Sequence, residues 1–408
     1  MRFFPQRRLP ASTPESPDLA PKQPVDLLSS QAADMELLKQ AWKMVRSAGG
    51  GAGIDKQTID DFKTQPDKFL ATIAISLSKE RYRFTRLRSA AIPKPNGEKR
   101  MLGIPTIKDR IVLQAIRLIL ETDCEKKMHS SCHAYRPGRG AETAMQAMAD
   151  GMGKGLCFVT ETDIRKFFDT VRHSTVLDTL RWVTPQYADS RLLRAAIAVG
   201  AGRWPSRIGL AQGSPLSPLL ANVALIDFDR AVTATGVTLI RYADDLVMLA
   251  GSKREAERAL QAAERLLKQC QLALHPGKTR IVDSRIDEFE FLGFCFQPDR
   301  ISPTTENWNR LHEEIRYWCA KDEAIPWPER IEHINALMRS FAWYYQKADC
   351  GRMLWNLDHF VREQLEVLQE QIGKPAQPWQ ERLVTAHRLR DARYLGKQKP
   401  TKRWNGYG

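Results

Sequence analysis

The chain has 408 residues, of which 43% are hydrophobic, enough for two or three domains with substantial cores. No apolar run reaches 18 residues, and no signal-peptide-like segment follows the basic start, so we expect a cytoplasmic protein without a membrane span. A formal charge of +14 favours a polyanionic partner, nucleic acid first. The seven cysteines are odd in number and form no CxxC pair, which indicates reduced thiols.

The first third of the chain predicts an arm, then helices, then a hairpin. Residues 1–32 carry six prolines and little periodicity, which is typical of a flexible arm. Apolar residues at helical spacing from Met35 to Val45 predict a helix that the following glycines end. Ser89–Pro105 predicts two short strands around a Pro-Asn-Gly turn, and Ile107–Leu120 predicts a helix.

The middle of the chain predicts strands that end in carboxylates. Leu156–Asp163 is predicted to be a strand with Asp163 at its C-terminal end. Ser217 is the predicted N-cap of a helix with Pro218 at its first position. The stretch "LIRYADDLVMLA" predicts two strands joined by a turn at Asp244 and Asp245. Together these elements indicate an α+β fold.

Two adjacent aspartates between apolar strands repel each other and lose hydration. If the strand of Asp163 neighbours this hairpin, the carboxylates converge, and Mg²⁺ ions would neutralise them. Taken alone, Asp244 and Asp245 are more often ordinary turn residues. The residues by themselves leave both interpretations open.

The rest of the chain predicts a helix, two strands and a helical end. A capping box from Ser252 to Glu255 starts the helix. Strands are predicted around Arg280–Val282 and Phe289–Phe296, and helices from about Asn307. From residue 381 onward, eight Lys or Arg residues with interleaved aromatic rings suit contact with phosphates and bases, although a solvated tail would look similar.

An ordered set of motifs over residues 35–370 resembles the reverse transcriptases of group II introns and their bacterial relatives. The motifs are "AW" from Ala41 with "GGAGIDKQTIDDF", "KPNGEKRMLGIPTIKDRIV", "HAYRPGRGAETA", "DIRKFFD", "QGSPLSPLLANVAL", "RYADD", "LHPGKTRIV", "FEFLGF" and "MRSFAWYYQKA". The resemblance implies a right-hand polymerase with fingers, a palm built on an antiparallel sheet with packed helices, and a helical thumb. The expected divisions are a flexible arm (1–32), an N-terminal extension and start of the fingers (33–88), fingers and palm (89–300), thumb (301–372) and a basic C-terminal tail (373–408).

The resemblance also implies a catalytic metal site. Asp163 and Asp244 would bind two Mg²⁺ ions, with Mn²⁺ as a substitute, helped by the backbone carbonyl of Ile164. Asp245 would be a secondary carboxylate near the metals. Two such ions stabilise the attacking and leaving oxygens of a phosphoryl transfer.

Further residues match the family's substrate contacts. For the incoming dNTP these are Lys94, Arg100, Phe168, Gln212, Gly213 and Lys278. Phe168 matches the aromatic gate that excludes a 2′-OH, and the alternative is a core Phe beside Phe167. Lys278 matches a proposed proton donor to the leaving pyrophosphate, or is a surface lysine. The primer grip is matched by Phe291, Leu292, Gly293 and Phe294, which would otherwise form an ordinary buried strand.

One cluster suggests zinc and is disfavoured. Cys124, His129, Cys132 and His133 are zinc-type ligands, but their spacing is not that of a common finger. The segment also aligns with a family stretch that carries no metal.

The predicted function is an RNA-directed DNA polymerase acting on an RNA template with a DNA or RNA primer. A structured noncoding RNA is a further candidate partner. The endonuclease-type Cys/His cluster that often follows the thumb is not seen, and Ser340–Phe341 stands where group II thumbs usually show Gly-Trp. What remains is an endonuclease-free group II intron enzyme or a related enzyme recruited to CRISPR-associated or antiphage defence, and the Ser340–Phe341 departure weakens the intron-maturase interpretation. The alternative is a maturase that mainly binds RNA and assists splicing, against which the intact Asp163, Asp244, Asp245 and Phe168 argue. A palm-type cyclase is disfavoured by the fingers motifs.

Overall fold

The computed structural model describes residues 25–93, 99–199, 207–320, 324–373 and 378–390. Its helices are α1 (Leu27–Ala32), α2 (Met35–Ala48), α3 (Ile59–Lys63), α4 (Pro66–Ser78), α5 (Ile107–Lys127), α6 (Ala141–Gly153), α7 (Phe167–Thr170), α8 (His173–Val183), α9 (Arg191–Ala198), α10 (Ser217–Ala224), α11 (Ile226–Thr233), α12 (Lys253–Gln269), α13 (Thr305–Cys319), α14 (Trp327–Tyr344) and α15 (Gly351–Ile372). Its strands are β1 (Arg88–Pro93), β2 (Lys99–Ile104), β3 (Phe158–Asp163), β4 (Thr238–Tyr242), β5 (Asp245–Ala250), β6 (Arg280–Asp283), β7 (Phe289–Phe291), β8 (Phe294–Phe296) and β9 (Ile301–Pro303).

The N-terminal region is helical earlier than the sequence predicted. The Asp26 carboxylate accepts a hydrogen bond from the Ser29 N–H and caps α1, and Leu28 and Ala32 are fully buried. The flexible-arm prediction is therefore wrong for Leu27–Ala32, because this short turn of helix has a core to pack against. Residues 1–24 of the predicted arm lie outside the described residues.

The predicted fingers hairpin is confirmed. Strands β1 and β2 pair antiparallel, with Arg88 opposite Ile104 and Pro93 opposite Lys99. The turn between them, which contains Lys94, lies outside the described residues. Helices α1, α2 and α4 pack against α5 or one another beside this hairpin.

The palm is a four-stranded sheet in the order β4-β5-β3-β6, and all its pairs are antiparallel. Side chains alternate along β5, so Leu246 and Met248 enter the core that contains α10, α11 and α12. Val247 and Leu249 enter a second core with α6 and the thumb helices. Because both faces are covered, the strand is apolar throughout, and the predicted α+β palm is confirmed.

A second small sheet, β7-β8-β9, precedes the helices α13 to α15. The run Phe289–Phe296, predicted as one strand, is a hairpin, because Leu292 and Gly293 both have positive φ (52° and 73°). Strand β9 was not predicted at all.

Two smaller predictions also need correction. Helix α10 begins at Ser217, with Leu216 as the N-cap and no side-chain cap bond, so Pro218 is its second residue. Within the predicted tail of 373–408, part of residues 378–390 is packed: Trp379 is 2% exposed, and the Asp358 carboxylate accepts the amides of Ala386 and His387. None of the described helices is long and apolar enough to cross a membrane.

Candidate active site

The palm sheet places the three predicted aspartates at one end, with two of them directly opposed. Asp163 lies directly opposite Asp245 in the β3–β5 register, so both side chains project from the same face with Cβ atoms about 5 Å apart. Asp244 precedes Asp245 in the turn, and its carbonyl accepts the Ile164 N–H at 3.0 Å. The expectation that Asp163 would neighbour the hairpin is confirmed.

The hairpin turn itself is tight. Tyr242 pairs with Asp245, which leaves Ala243 and Asp244 as a two-residue loop. Ala243 has a φ of 60° and is buried. A positive φ at the first central residue alone is typical of a type II′ turn, which matches the twist of the flanking strands. The turn therefore fixes the position of Asp244.

A buried arginine supports this turn from behind, and the sequence analysis missed it. Arg241 is 0% exposed, and its guanidinium binds Asp229 through two contacts of 2.6 Å. Its Nη1 also donates to the carbonyl of Ala243 at 3.1 Å. The signal was an arginine between apolar strand residues, since such a charge requires a buried carboxylate nearby.

The same arginine reaches two neighbouring segments. Its Nη1 donates to Asn222 Oδ1 at 2.9 Å, and Asn222 Nδ2 donates to the carbonyl of Ala134 at 2.8 Å. The Arg241 N–H donates to the Ser131 carbonyl at 2.8 Å, and the Arg241 carbonyl accepts the His133 N–H at 2.9 Å. The motif segments that contain Asn222 and Ala134 are thus tied to the hairpin that carries Asp244 and Asp245.

A lysine supplies positive charge to the aspartates. Lys278 Nζ lies 2.5 Å from Asp163 Oδ2. Burial lowers the pKa of Lys278, but the hydrogen bond to Asp163 and the charges of Asp163, Asp245 and Asp244 outweigh burial and raise it. Lys278 therefore remains an ammonium at neutral pH and lies beside Asp163.

The second oxygen of Asp163 indicates that a cation fits here. Asp163 Oδ1 is buried and has no hydrogen-bond partner among the described residues. A buried, unpaired carboxylate oxygen is costly unless a ligand satisfies it, and carboxylate oxygens suit Mg²⁺. No group of three or more His, Cys, Asp or Glu residues in the described ranges is gathered closely enough to hold a metal.

The predicted nucleotide-binding residues fall around α7 and the loop before α10. Phe168 is half-buried, its ring 5.9 Å from that of Phe167 in an edge-on arrangement. Its carbonyl accepts the Leu210 N–H at 2.7 Å, which ties α7 to this loop. Farther along the loop, Gln212 Nε2 donates to Asp169 Oδ1 at 3.2 Å.

Gly213 joins this loop to the fingers. The Gly103 N–H donates to the Gln212 carbonyl at 2.8 Å, and a Cβ on Gly213 would lie 2.7 Å from the Gly103 carbonyl. With φ at 117°, only glycine fits readily. The backbone of Arg100 lies in β2, three residues from this contact.

An open cavity of about 1290 Å³ borders this contact between fingers and palm. Gly103, Asp169 and Gln212 line it on the palm side. Basic side chains that line it are Arg83, Arg86, Arg191 and Arg194. The four arginines suit a polyanion, but three carboxylates, Asp26, Glu80 and Asp169, also line the cavity.

The predicted primer-grip residues form the β7–β8 turn and its flanks. Phe291 pairs with Phe294, and Leu292 and Gly293 are the two central residues of the turn. The alternative of an ordinary buried strand is therefore wrong for the centre of the motif. The side chains of Phe291 and Phe294 belong to the same hydrophobic core as the helices α13 to α15.

Sequence comparison assigns most of these elements. The family model for "Reverse transcriptase (RNA-dependent DNA polymerase)" matches residues 92–296, half of the chain. The model for "Group II intron, maturase-specific domain" matches residues 308–371.

Individual relatives agree with these matches. The chain is 33% identical over 185 residues to the group II intron-encoded protein LtrA of Lactococcus lactis, covering 44% of this chain and 30% of that protein. It is 27% identical over 299 residues to protein YkfC of Escherichia coli, covering 60% and 76%. It is 29% identical over 205 residues to a putative COX1/OXI3 intron 1 protein of Saccharomyces cerevisiae, covering 48% and 24%. The chain thus spans less than a third of the length of the two intron proteins.

Among solved structures, apo telomerase from Candida tropicalis has a TM-score of 0.46 at 10% identity, covering 78% of this chain and 66% of that one. A partial Cas6-RT-Cas1–Cas2 complex has a TM-score of 0.34 at 26% identity, covering 59% and 41%. The family matches, with the aspartates opposed at the end of the palm sheet, show that the chain belongs to the reverse transcriptase family, in its group II intron-like branch.

Proposed function

We propose that this protein is an RNA-directed DNA polymerase that adds dNTPs to a primer 3′-OH on an RNA template. The observation that carries the proposal is the opposed pair Asp163 and Asp245, beside the Asp244 turn, in a chain of this family. The net charge of +14 suits a template–primer duplex held through its phosphates.

In this proposal, the aspartates hold two Mg²⁺ ions, which stabilise charge on the attacking and leaving oxygens. Asp163 offers its unpaired Oδ1, and the rigid turn presents Asp244 at a fixed position. Lys278, now paired with Asp163, carries the proton that a pyrophosphate leaving group would need.

Nucleotide selection would fall to α7 and the loop that contains Gln212. The Phe168 backbone is bonded to that loop, which fixes the position from which its ring projects. A 2′-OH against this ring would clash and lose its hydrogen bonds. The residues that would contact the triphosphate are Lys94 and Arg100.

The direct test is primer extension by purified protein with primed RNA, dNTPs and Mg²⁺. Asp244→Asn should abolish extension, because the substitution removes the charge and keeps the shape. Asp178→Asn, at an exposed aspartate of α8 paired only with Arg181 in the described ranges, is the matched control and should remain active. Full activity of Asp244→Asn would refute the mechanism.

The role of Phe168 is tested separately. Phe168→Val should increase the incorporation of rNTPs relative to dNTPs, whereas Phe69→Val, a half-buried phenylalanine of α4, should not. Unchanged sugar discrimination in Phe168→Val would reject the gate assignment and leave the polymerase proposal standing.

A second function is supported by the maturase-specific match at residues 308–371. In that case the protein binds a structured intron RNA and assists its splicing. Asp244→Asn would then retain RNA binding and splicing while it loses DNA synthesis, so the two activities separate in one variant. Loss of splicing in an Asp244→Asn protein with normal stability would contradict a purely RNA-binding role.

Recruitment to CRISPR-associated or antiphage defence is a third role, and it depends on the proposed polymerase activity. It predicts that the gene protects cells against phage or supports spacer acquisition from RNA. Protection by wild type but not by Asp244→Asn, at equal protein levels, would support it, and equal protection by both would oppose it.

A further inference from the structure

The β7–β8 turn is held by two hydroxyl groups of the thumb. Tyr344, the last residue of α14, donates its hydroxyl to the carbonyl of Leu292 at 2.8 Å. Tyr345 donates to the carbonyl of Gly293 at 2.9 Å. Each tyrosine thus donates to a carbonyl that lies 52 positions earlier in the chain, and these carbonyls belong to the two central residues of one turn.

This turn needs outside support. Both central residues have positive φ, and Leu292, which carries a Cβ, is 1% exposed. A Cβ on Gly293 would lie 2.2 Å from Asn307 Nδ2, so the thumb approaches the turn closely. The two central carbonyls make no bond across the β7–β8 hairpin, and a buried carbonyl left without a donor costs free energy.

The two carbonyls are not equally supported. The Thr304 amide also donates to Gly293 at 3.0 Å, whereas Tyr344 supplies the one donor to Leu292 among the described residues. Asn307 Nδ2 donates to the Tyr345 hydroxyl at 3.0 Å. Loss of the Tyr344 hydroxyl therefore leaves a carbonyl unpaired, and loss of the Tyr345 hydroxyl does not.

Tyr344 also lies close to the catalytic hairpin. Its ring stacks on Phe294 with centroids 5.4 Å apart. Burial, followed by the nearby hydroxyls of Tyr345 and Tyr242, raises the pKa of Tyr344, so it stays a donor. Tyr242 is the residue directly before the Ala243–Asp244 loop. One side chain thus bonds the β7–β8 turn and lies near Tyr242, the end of β4 that leads into the Asp244 loop.

We propose that Tyr344 and Tyr345 are positioning residues that set the β7–β8 turn relative to the catalytic aspartates, so that a primer lying on the turn presents its 3′ end to them. The inference rests on the proposed function, because it takes the turn to contact the primer. It assigns the end of α14 a role in primer placement, with Tyr344 the more important of the pair.

The test is steady-state primer extension by Tyr344→Phe and Tyr345→Phe. Removal of the Tyr344 hydroxyl should raise the KM for template–primer about 5- to 10-fold, the size of one lost hydrogen bond, and leave the KM for dNTP within about 2-fold. Tyr345→Phe should have a smaller effect in the same direction. The matched control is Tyr187→Phe, which removes a buried hydroxyl bonded to Gln31 in the N-terminal region and should shift neither KM.

A second variant moves the turn while both tyrosines keep their hydroxyls. The Cβ of Gly293→Ala would lie 2.2 Å from Asn307 Nδ2 and 3.1 Å from the Tyr345 hydroxyl, so it forces the turn away from the thumb and should raise the template–primer KM in the same selective way. An effect of Tyr344→Phe equal to that of Tyr187→Phe, or equal shifts in both KM values, would overturn the inference and leave the polymerase proposal intact. Absence of extension by the wild-type protein would instead refute the proposed function.

Discussion

Arg241 and Asp229 form the most deeply buried ion pair in the described ranges, at 0% and 1% side-chain exposure. We predict that Arg241→Gln lowers the free energy of unfolding by about 3–5 kcal/mol, because Asp229 would be left charged, buried and without its partner. It should also reduce the rate of primer extension, since the bond to the Ala243 carbonyl is lost. Urea unfolding measures the first effect, and a primer-extension time course the second.

The chain offers a matched control for this prediction. Arg285 also binds an aspartate, Asp283, but its side chain is 63% exposed. Arg285→Gln should leave the free energy of unfolding nearly unchanged, as expected for a solvent-screened surface pair. Equal losses in the two variants would contradict the assignment of Arg241 as a buried anchor.

His133 provides a second residue-scale prediction, on pH. Burial, followed by the charges of Arg139, Arg136 and Arg241, lowers the pKa of His133 to about 4. The unfolded chain, with an ordinary pKa of about 6.5, binds a proton between these values and the folded chain does not, so stability falls as pH falls from 6.5 towards 4.

At pH 5 this coupling should cost about 1–2 kcal/mol relative to pH 7.5, and His133→Gln should remove that part of the loss. Urea unfolding of both proteins at the two pH values measures the difference. His173, whose pKa burial also lowers, contributes in the same direction in both proteins and cancels in the comparison. An equal drop in both proteins would show that His133 is not the group responsible.

At the residue scale, the sequence predicted that the strand of Asp163 would lie beside the hairpin of Asp244 and Asp245. Two signals pointed to this: the carboxylates stand at the ends of predicted strands, and the same residues carry the family resemblance. It did not predict Asn222 or Asp229 as supports. Their partner, Arg241, lies 19 and 12 positions away, and nothing in local spacing shows which polar group a buried arginine reaches. Such pairs depend on tertiary packing.

At the element scale, the strands of the palm were predicted well, because continuous apolar runs bounded by turn residues are typical of buried strands. The hairpin at Leu292–Gly293 was read as one strand, because it contains a leucine at positive φ, where glycine, asparagine or aspartate is usual. The tyrosines of α14 offset that preference, and they lie about 50 residues away. Local composition could not reveal them.

The end of α12 gives an element-scale prediction. Gln271 has a φ of 57° and its amide donates to Lys268, while the Leu272 amide donates to Leu267, which is the hydrogen-bond pattern of a Schellman motif. Gln271 is exposed, so Gln271→Gly should relieve the backbone and raise the free energy of unfolding by about 0.5–1 kcal/mol. Thermal unfolding measures this.

A control for this prediction lies inside the same helix. Gln261→Gly, at a helical position, should destabilise the protein by about 1 kcal/mol. A loss of stability in both variants would contradict the assignment of Gln271 to the left-handed cap position.

At the scale of the whole molecule, the palm sheet has two covered faces, and one of them is shared with the thumb. Val247 and Leu249 of β5 belong to the same core as Phe341 and Leu354 of the thumb helices. The helical thumb is therefore not a separate unit joined by a linker, and its packing stabilises the strands that carry the aspartates. The sequence predicted the thumb helices but not this shared core, because a strand buried on both faces does not show what covers each face.

We predict that the C-terminal segment contributes separately to stability and to nucleic-acid binding. Residues 391–408 contain five Lys or Arg and one Asp, whereas Trp379, Leu383 and Leu389 are buried in the thumb core. A chain ending at Arg390 should keep its melting temperature but bind an RNA–DNA hybrid more weakly, with a shallower dependence of affinity on salt, because fewer phosphate-neutralising cations remain.

A chain ending at Gly373 removes the packed segment as well. It should lose stability by several kcal/mol in addition, because the burial of Trp379 alone is worth about 3–5 kcal/mol and Asp358 loses the amides of Ala386 and His387. Melting temperature and hybrid affinity at 50 and 200 mM salt distinguish the two contributions. If the chain ending at Arg390 bound hybrid as tightly as the full chain at low salt, the basic tail would be a solvated segment and the nucleic-acid surface would lie wholly on the fingers, palm and thumb.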